Sequence, residues 1–435
     1  MEKTALETAA AIAKGETSAV AECEAAIVRI EERDGPINAV VVRDFSRAME
    51  AARQADAAVS RGERHSLLGV PMTVKESHDV AGLPSTWGLE SNKDYIADSD
   101  SFVVRRLKAA GAIILGKTNV PPMLADWQSD NPVYGRTNNP YDHGRVVGGS
   151  SGGSAAALAA GMVPLEYGSD IGGSIRIPAN YCGVYGHKPS YGVVPLEGHY
   201  FPGADGSDIP LSVTGPLARA PEDIVVALDI TSEIALPRPR RKSLNDCRFL
   251  LVTETDLAVA DREILDAIED AAAVCIAAGA EVARESDLLP DLATLHQQYV
   301  HMLLTVLAAR DPTSDYPMPD FPGWCEMLDQ QARATRQYRD LFEEFDAILC
   351  PVSGTTAFEH TPVPMNDRKL TIDGEDVDFG RQFGWIGIAT YPGLPAMSMP
   401  IGKDGEGLPI GLQIIGDRHQ DHSVIEITRL IAEAS

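Results

Sequence analysis

No two cysteines in this 435-residue chain stand at C-x-x-C spacing; Cys23, Cys182, Cys247, Cys275, Cys325 and Cys350 are far apart. That excludes a zinc ribbon and argues for reduced thiols rather than a disulfide framework. Long apolar runs are missing too: nothing reaches the ~18 uninterrupted residues a membrane helix needs. The first residues, MEKTALETAAAIAKGETS, lack a basic region followed by an apolar one, so we expect a cytoplasmic protein without a membrane partner. Positive charge is scarce, with 37 basic against 63 acidic residues and a net charge of −26. Such a surface repels polyanions, so nucleic acid is not expected as a partner. The one basic cluster, LPRPRRK at 236–242, reads as a solvated linker. His419 and His422 have a spacing that could meet a metal, but no third ligand is identifiable nearby, so neither metal nor cofactor is expected.

What is present is a hydrophobic content of 44%, enough for a substantial core. The first ~60 residues carry apolar positions at helical spacing in TSAVAECEAAIVRIEER and SRAMEAARQADAAVSRGE, read as two amphipathic helices. Thr17 or Ser18 can cap the first and Gly62 can end the second. From Leu67 the texture changes to short apolar runs, LLGVPMTVKE, AGAIILGKTN and GMVPLEYGSD, bounded by Gly, Pro and Asn. SFVVRRLKAAG between the first two is a helical pattern ending at Gly111. Further strands are expected in CRFLLVTET, DAILCPVS, LPAMSMPIG and GLPIGLQIIG, with a long helix from ADREILDAIEDAAAVCIAAG and a last one in DHSVIEITRLIAEA, capped by Asp421. Strands alternating with helices predict an α/β fold with a mixed or largely parallel sheet.

The stretch GGSSGGSAAALAAGMVPLEYGSDIGGS at 148–174 admits three readings. A phosphate cradle would need a Gly-Lys-Ser/Thr ending or a G-x-G-x-x-G turn directly after a strand, and has neither. A flexible linker would not contain a helix pattern and an apolar strand. A nucleophile site fits better: Gly172 and Gly173 allow successive N–H groups from Ile171 to Ser174 to converge on one point, beside a serine. No G-x-S-x-G elbow surrounds Ser174 and no histidine stands out as its base. Lys75, at the end of the apolar run GVPMTVKES, could serve if burial keeps it neutral.

These residues resemble the amidase signature family of serine hydrolases. The resemblance is carried by 148–192 and, in family order, by GVPMTVKE at 69–76, AAGAIILGKTN at 109–119, YGRTNNPYD at 134–142, GPLAR at 215–219 and LPAMSMPIGKDGEGLPIGLQIIG at 394–416. It implies one large fold over 1–435, a central mixed β-sheet covered by helices on both faces. Within it lie N-terminal helices (1–65), a catalytic core (66–232), a variable helical excursion (244–345) and C-terminal core strands with a helix (346–435). It implies a Ser-cisSer-Lys triad: Ser174 as acyl-forming nucleophile, Ser150 as the serine after a cis peptide bond, and Lys75 as base. The oxyanion hole would be the N–H groups of Ile171, Gly172, Gly173 and Ser174, with Ser154, Asp170 and Arg176 in support and Asp170 paired to Arg176. Glu76, Ile171 and His187 depart from the family's common residues without touching the triad.

Members of that family act on many amides, and the triad does not choose among them. Specificity should lie in 121–130, 196–208 and about 296–385, with Met123, Trp127, Gln128, Ser151 and Trp385 as candidate pocket residues. Tyr316, Phe321, Trp324 and Phe383 are further aromatic candidates for the mouth. The reading is a broad amidase for non-peptide amides, able to accept aryl amides, esters and carbamates (urethanes), acting as monomer or homodimer. Its rival is the A subunit of a glutamine-dependent tRNA amidotransferase.

Overall fold

Three N-terminal helices, rather than the two expected, open the chain in this computed structural model, which describes residues 2–204, 206–255, 258–311 and 314–435. Helix α1 (Ala5–Lys14) is short, but Thr4 and Glu7 form a reciprocal capping box and Gly15 closes it in the left-handed region. Ser18 caps α2 (Ala19–Arg33) through the Ala21 N–H. Strand β1 (Val40–Arg43) and helix α3 (Phe45–Ser60) follow, and α2 packs on α3. Strand β2 (Pro71–Lys75), helix α4 (Phe102–Ala109) and strand β3 (Ile113–Thr118) come next, and β1-β3-β2 form a small sheet.

Two short strands, β4 (Asp130–Asn131) and β5 (Gly135–Arg136), pair with each other before the signature stretch. That stretch forms helix α5 (Gly152–Ala159), strand β6 (Leu165–Asp170) and helix α6 (Arg176–Cys182). Then come β7 (Tyr185–Lys188), β8 (Val213–Ala218) and α7 (Pro221–Thr231). The next segment holds β9 (Arg248–Leu251), α8 (Arg262–Ala277), β10 (Glu281–Ala283), α9 (Leu292–Ala308) and α10 (Phe321–Leu341). The chain closes with β11 (Ala347–Pro351), the hairpin β12 (Lys369–Ile372) and β13 (Glu375–Asp378), α11 (Phe383–Thr390), β14 (Ala396–Lys403), β15 (Pro409–Ile415) and α12 (Asp421–Ala434).

Eight strands form the main sheet in the order β10-β9-β11-β15-β14-β7-β8-β6. It is mixed, as expected, but far from largely parallel: only β9 with its two neighbours runs parallel, because β14/β15, β7/β8 and β6/β8 are antiparallel pairs. Helices α5 and α6 pack together against it, and α7, α8 and α12 form a second group against it. Helices therefore cover both faces, and the fold class read from the sequence holds. Among the described residues no helix is long and apolar enough to cross a membrane.

Asp421 does not cap α12. It occupies the helix's first position, and its buried carboxylate accepts from Ser190 N–H (2.8 Å) and Ser190 Oγ (2.7 Å) and lies 3.1 Å from His187 Nε2. This contact across chain segments outcompetes local capping. It also gives His187 a structural partner, joining α12 to β7 and to the loop after it. His422 is likewise occupied, at 2.8 Å from Asp229. No group of ligands suited to a metal occurs among the described residues.

Candidate active site

Lys75 ends β2 with its side chain wholly buried, and its Nζ donates to Ser150 Oγ at 2.7 Å and to Ser169 Oγ at 2.9 Å. Burial pushes this ammonium well below the ordinary lysine range, opposed only in part by the negative charge of Asp170. A buried lysine held by two hydroxyls is therefore poised to be neutral and to accept a proton.

Ser150 follows a cis Gly149–Ser150 peptide bond and stands two residues before α5. The helix itself approaches β3 so closely that a Cβ on Gly153 would lie 2.2 Å from the Asn119 main-chain nitrogen. Only glycine permits that approach, which is why an Ala-rich helix begins with Gly-Gly. Ser151 donates its N–H to the Ser174 carbonyl at 3.0 Å, tying the two serine turns together.

The turn after β6 is organised by Asp170. Its carboxylate takes the Gly173 N–H at 3.0 Å and the Ile175 N–H at 3.1 Å, and it forms a bidentate pair with Arg176 (3.0 and 2.8 Å). Arg176 is itself buried and donates further to Gln413, Thr390 and the Ile386 carbonyl. Burial pushes the Asp170 carboxyl up, but the charge and hydrogen bonds of Arg176 outweigh it and hold the group at about 2. Gly173 sits at φ 87°, which lets the chain reverse here without a strained side chain. The N–H groups of Ile171, Gly172 and Ser174 are left without an acceptor among the described residues.

Ser150 and Ser174 share the wall of a cavity of about 400 Å³. Of the pocket residues read from the sequence, Met123 and Trp127 line it, as does Phe383. Trp127 is fixed by its indole N–H, which donates to the Gly172 carbonyl at 3.0 Å. Gln128, Ser151 and Trp385 do not line it. Gln128 clamps the Thr361 backbone in both directions at 3.0 Å, Ser151 bonds the Ser169 backbone, and Trp385 is wholly buried in the core. Phe321 is exposed, Tyr316 contacts His301, and Trp324 lines a separate cavity beyond Ile209. The Ser154 hydroxyl hydrogen-bonds that of Thr118 at 2.8 Å. Positions 205 and 312–313, within the expected specificity segments, lie outside the described residues.

The expected segments 196–208 and 296–385 do supply much of the wall, through His199 and Phe201 and through Val300, Leu303, Leu304 and Leu307 of α9, but sequence reasoning singled out none of these residues and missed Trp87 altogether. The i, i+3, i+4, i+7 spacing on α9 marks an apolar face. It does not say what that face meets. Asp126 also borders the cavity, but its carboxylate is paired with Arg368 at 2.6 and 2.7 Å.

A family model described as Amidase matches residues 22–316 and 319–425. The indoleacetamide hydrolase of Bradyrhizobium diazoefficiens is 33% identical over 98% of this chain and 86% of its own length. The fatty-acid amide hydrolase 2-A of Danio rerio is 32% identical over 96% of this chain and 86% of its own. A solved bacterial aryl acylamidase of the amidase signature family matches with a TM-score of 0.84 at 26% identity, covering 100% of this chain and 96% of that one. With the match running through nearly the whole sequence, the chain belongs to the amidase signature family and is a hydrolase of amide C–N bonds.

Proposed function

We propose that this amidase cleaves neutral amides bearing an aryl or other bulky apolar group, through an acyl-enzyme on Ser174, and that it accepts aryl esters and carbamates as well. The observation that carries this reading is the cavity. It places Ser150 and Ser174 against Trp87, Trp127, Phe201, Phe383 and the leucines of α9, with no lysine or arginine among the described residues lining it. Such a wall favours apolar groups over a free glutamine, whose carboxylate would find no cation there. That weighs against the amidotransferase reading.

The chemistry uses the groups already described. Neutral Lys75 takes the Ser150 proton as Ser150 takes that of Ser174, and Ser174 Oγ bonds to the amide carbon. The N–H groups of Ile171, Gly172 and Ser174 receive the oxyanion. Gly173 N–H, expected from sequence to share this work, is given to Asp170 and instead shapes the turn. As the C–N bond breaks, the proton returns through Ser150 to the departing amine. Water then cleaves the ester, releasing the acid and restoring Ser174.

Kinetics on a matched panel of amides test the substrate class. An anilide should exceed acetamide in kcat/KM by about tenfold or more, the discrimination a few buried apolar contacts supply. Strict preference for glutamine or for acetamide-sized substrates would reject it. The role of Lys75 is tested by pH. Its folded pKa lies below the usual lysine value, so the neutral form persists above that depressed pKa and is lost as pH falls through it. kcat, with chemistry limiting, should therefore drop toward acid pH. A profile flat from mildly acid to alkaline pH would remove the lysine base.

A further inference from the structure

Glu166 has no part in the chemistry above, yet its carboxyl is wholly buried where the catalytic elements meet. It lies on β6, and the hydroxyl of Thr73 on β2 donates to its Oε1. The Tyr167 N–H donates to its Oε2 at 3.2 Å. The hydroxyls of Thr118 on β3 and Ser154 on α5, 2.8 Å from each other, complete its surroundings.

Each partner leads to the active site. Thr73 stands two residues before Lys75, on the same face of β2, and Thr118 is the cross-strand partner of Lys75. Ser154 lies in the first turn of α5, just beyond Ser150. Glu166 itself precedes Ser169, which accepts from Lys75. Strands β2 and β6 belong to different sheets, so no ladder of backbone hydrogen bonds sets Lys75 against Ser169. Side chains must do so, and this polar knot spans the junction.

We propose that Glu166 is a positioning residue that, in its protonated form, joins the small sheet to the main sheet and so sets the alignment of Lys75 with Ser150 and Ser169. The inference rests on Lys75 being the base. A neutral carboxyl both donates and accepts, whereas a carboxylate only accepts, so losing the proton removes one link of the knot. Burial raises the carboxyl to about 8, against which the hydroxyls and the Tyr167 N–H act only in part. The titratable groups on the strands packed nearby are Lys75 on β2 and Lys117 on β3; α5 and β8 bring none. Activity should therefore decline above about pH 8 as Glu166 ionises.

The test compares the kcat profile of the parent enzyme, Glu166→Gln and Thr73→Val on 4-nitroacetanilide, from mildly acid to about pH 10, with folding checked by circular dichroism. Glutamine keeps a donor and an acceptor but cannot ionise. Glu166→Gln should stay within about threefold of the parent near neutrality and lose the alkaline decline. Thr73→Val, which cuts the link to β2, should lower kcat about tenfold with KM unchanged. An alkaline decline shared by parent and Glu166→Gln overturns the proposal. So does an unchanged kcat in Thr73→Val, which decides the matter if Glu166→Gln does not fold. A missing acid limb in the parent would instead strike the assignment of Lys75 as base, so the two failures are distinguishable.

Discussion

Ser174→Ala is expected to lower kcat roughly 10⁴-fold or more on every substrate, because in the proposed mechanism Ser174 alone carries the acyl intermediate. The fold should survive: the change removes one oxygen from a cavity wall and keeps the Ser174 carbonyl, which accepts from Ser151 N–H at 3.0 Å. The thermal midpoint should therefore stay within about 2 °C of the parent. Steady-state kinetics and a thermal melt on the same preparation suffice. Turnover retained by a well-folded Ser174→Ala variant would refute the nucleophile. Mass spectrometry after reaction with an aryl phosphonate adds a direct reading, since the adduct should form on the parent and be absent from the variant.

Arg176→Met should be strongly destabilising, at about 3–5 kcal/mol, because it leaves the Asp170 carboxylate buried without its partner. Both side chains are fully shielded from solvent, so water cannot replace the lost guanidinium. The Asp170 pKa is depressed to about 2 in the folded protein, so the pair's contribution is present above the unfolded value of 3.8 and disappears as pH falls through about 2. Urea unfolding at neutral pH should reveal the full loss, and the gap between parent and variant should narrow in strong acid. Activity should fall as well, since the same carboxylate orders the Gly173 and Ile175 N–H groups on either side of Ser174. A variant with an unchanged urea midpoint would show that the Asp170 turn is held by its backbone bonds alone.

How much was legible beforehand depended on whether the signal was local. The strands Pro71–Lys75, Ile113–Thr118 and Leu165–Asp170 were readable as apolar runs between Gly, Pro and Asn. Helix α1 was overlooked because it is only ten residues long; its first-turn N–H groups are held by the Thr4 capping box and, from a distant segment, by the Asp223 carboxylate. Asp421 was misread because a carboxylate at a helix start looks like a cap, while His187 and Ser190, more than 200 residues away in sequence, claim it in space.

The pocket shows the same division. Trp127 was legible as an aromatic near the signature, but Gln128 beside it points to the Thr361 backbone, and Trp385 fills the core instead of the cavity. Nothing along the chain distinguishes an aromatic that lines a cavity from one that packs; both are apolar and both are buried.

By itself the sequence determined the candidate residues: a lysine ending an apolar strand and two serine turns rich in glycine are each short-range patterns, set by what the backbone permits and what burial does to an amine. Tertiary structure alone decided which N–H groups of the Asp170 turn stay free of an acceptor among the described residues, which side chains wall the cavity, and how the Glu166 carboxyl on β6 meets the Thr73 hydroxyl on β2 of the other sheet. Those outcomes depend on contacts between segments distant in the chain, where packing and desolvation, not local propensity, select the partners.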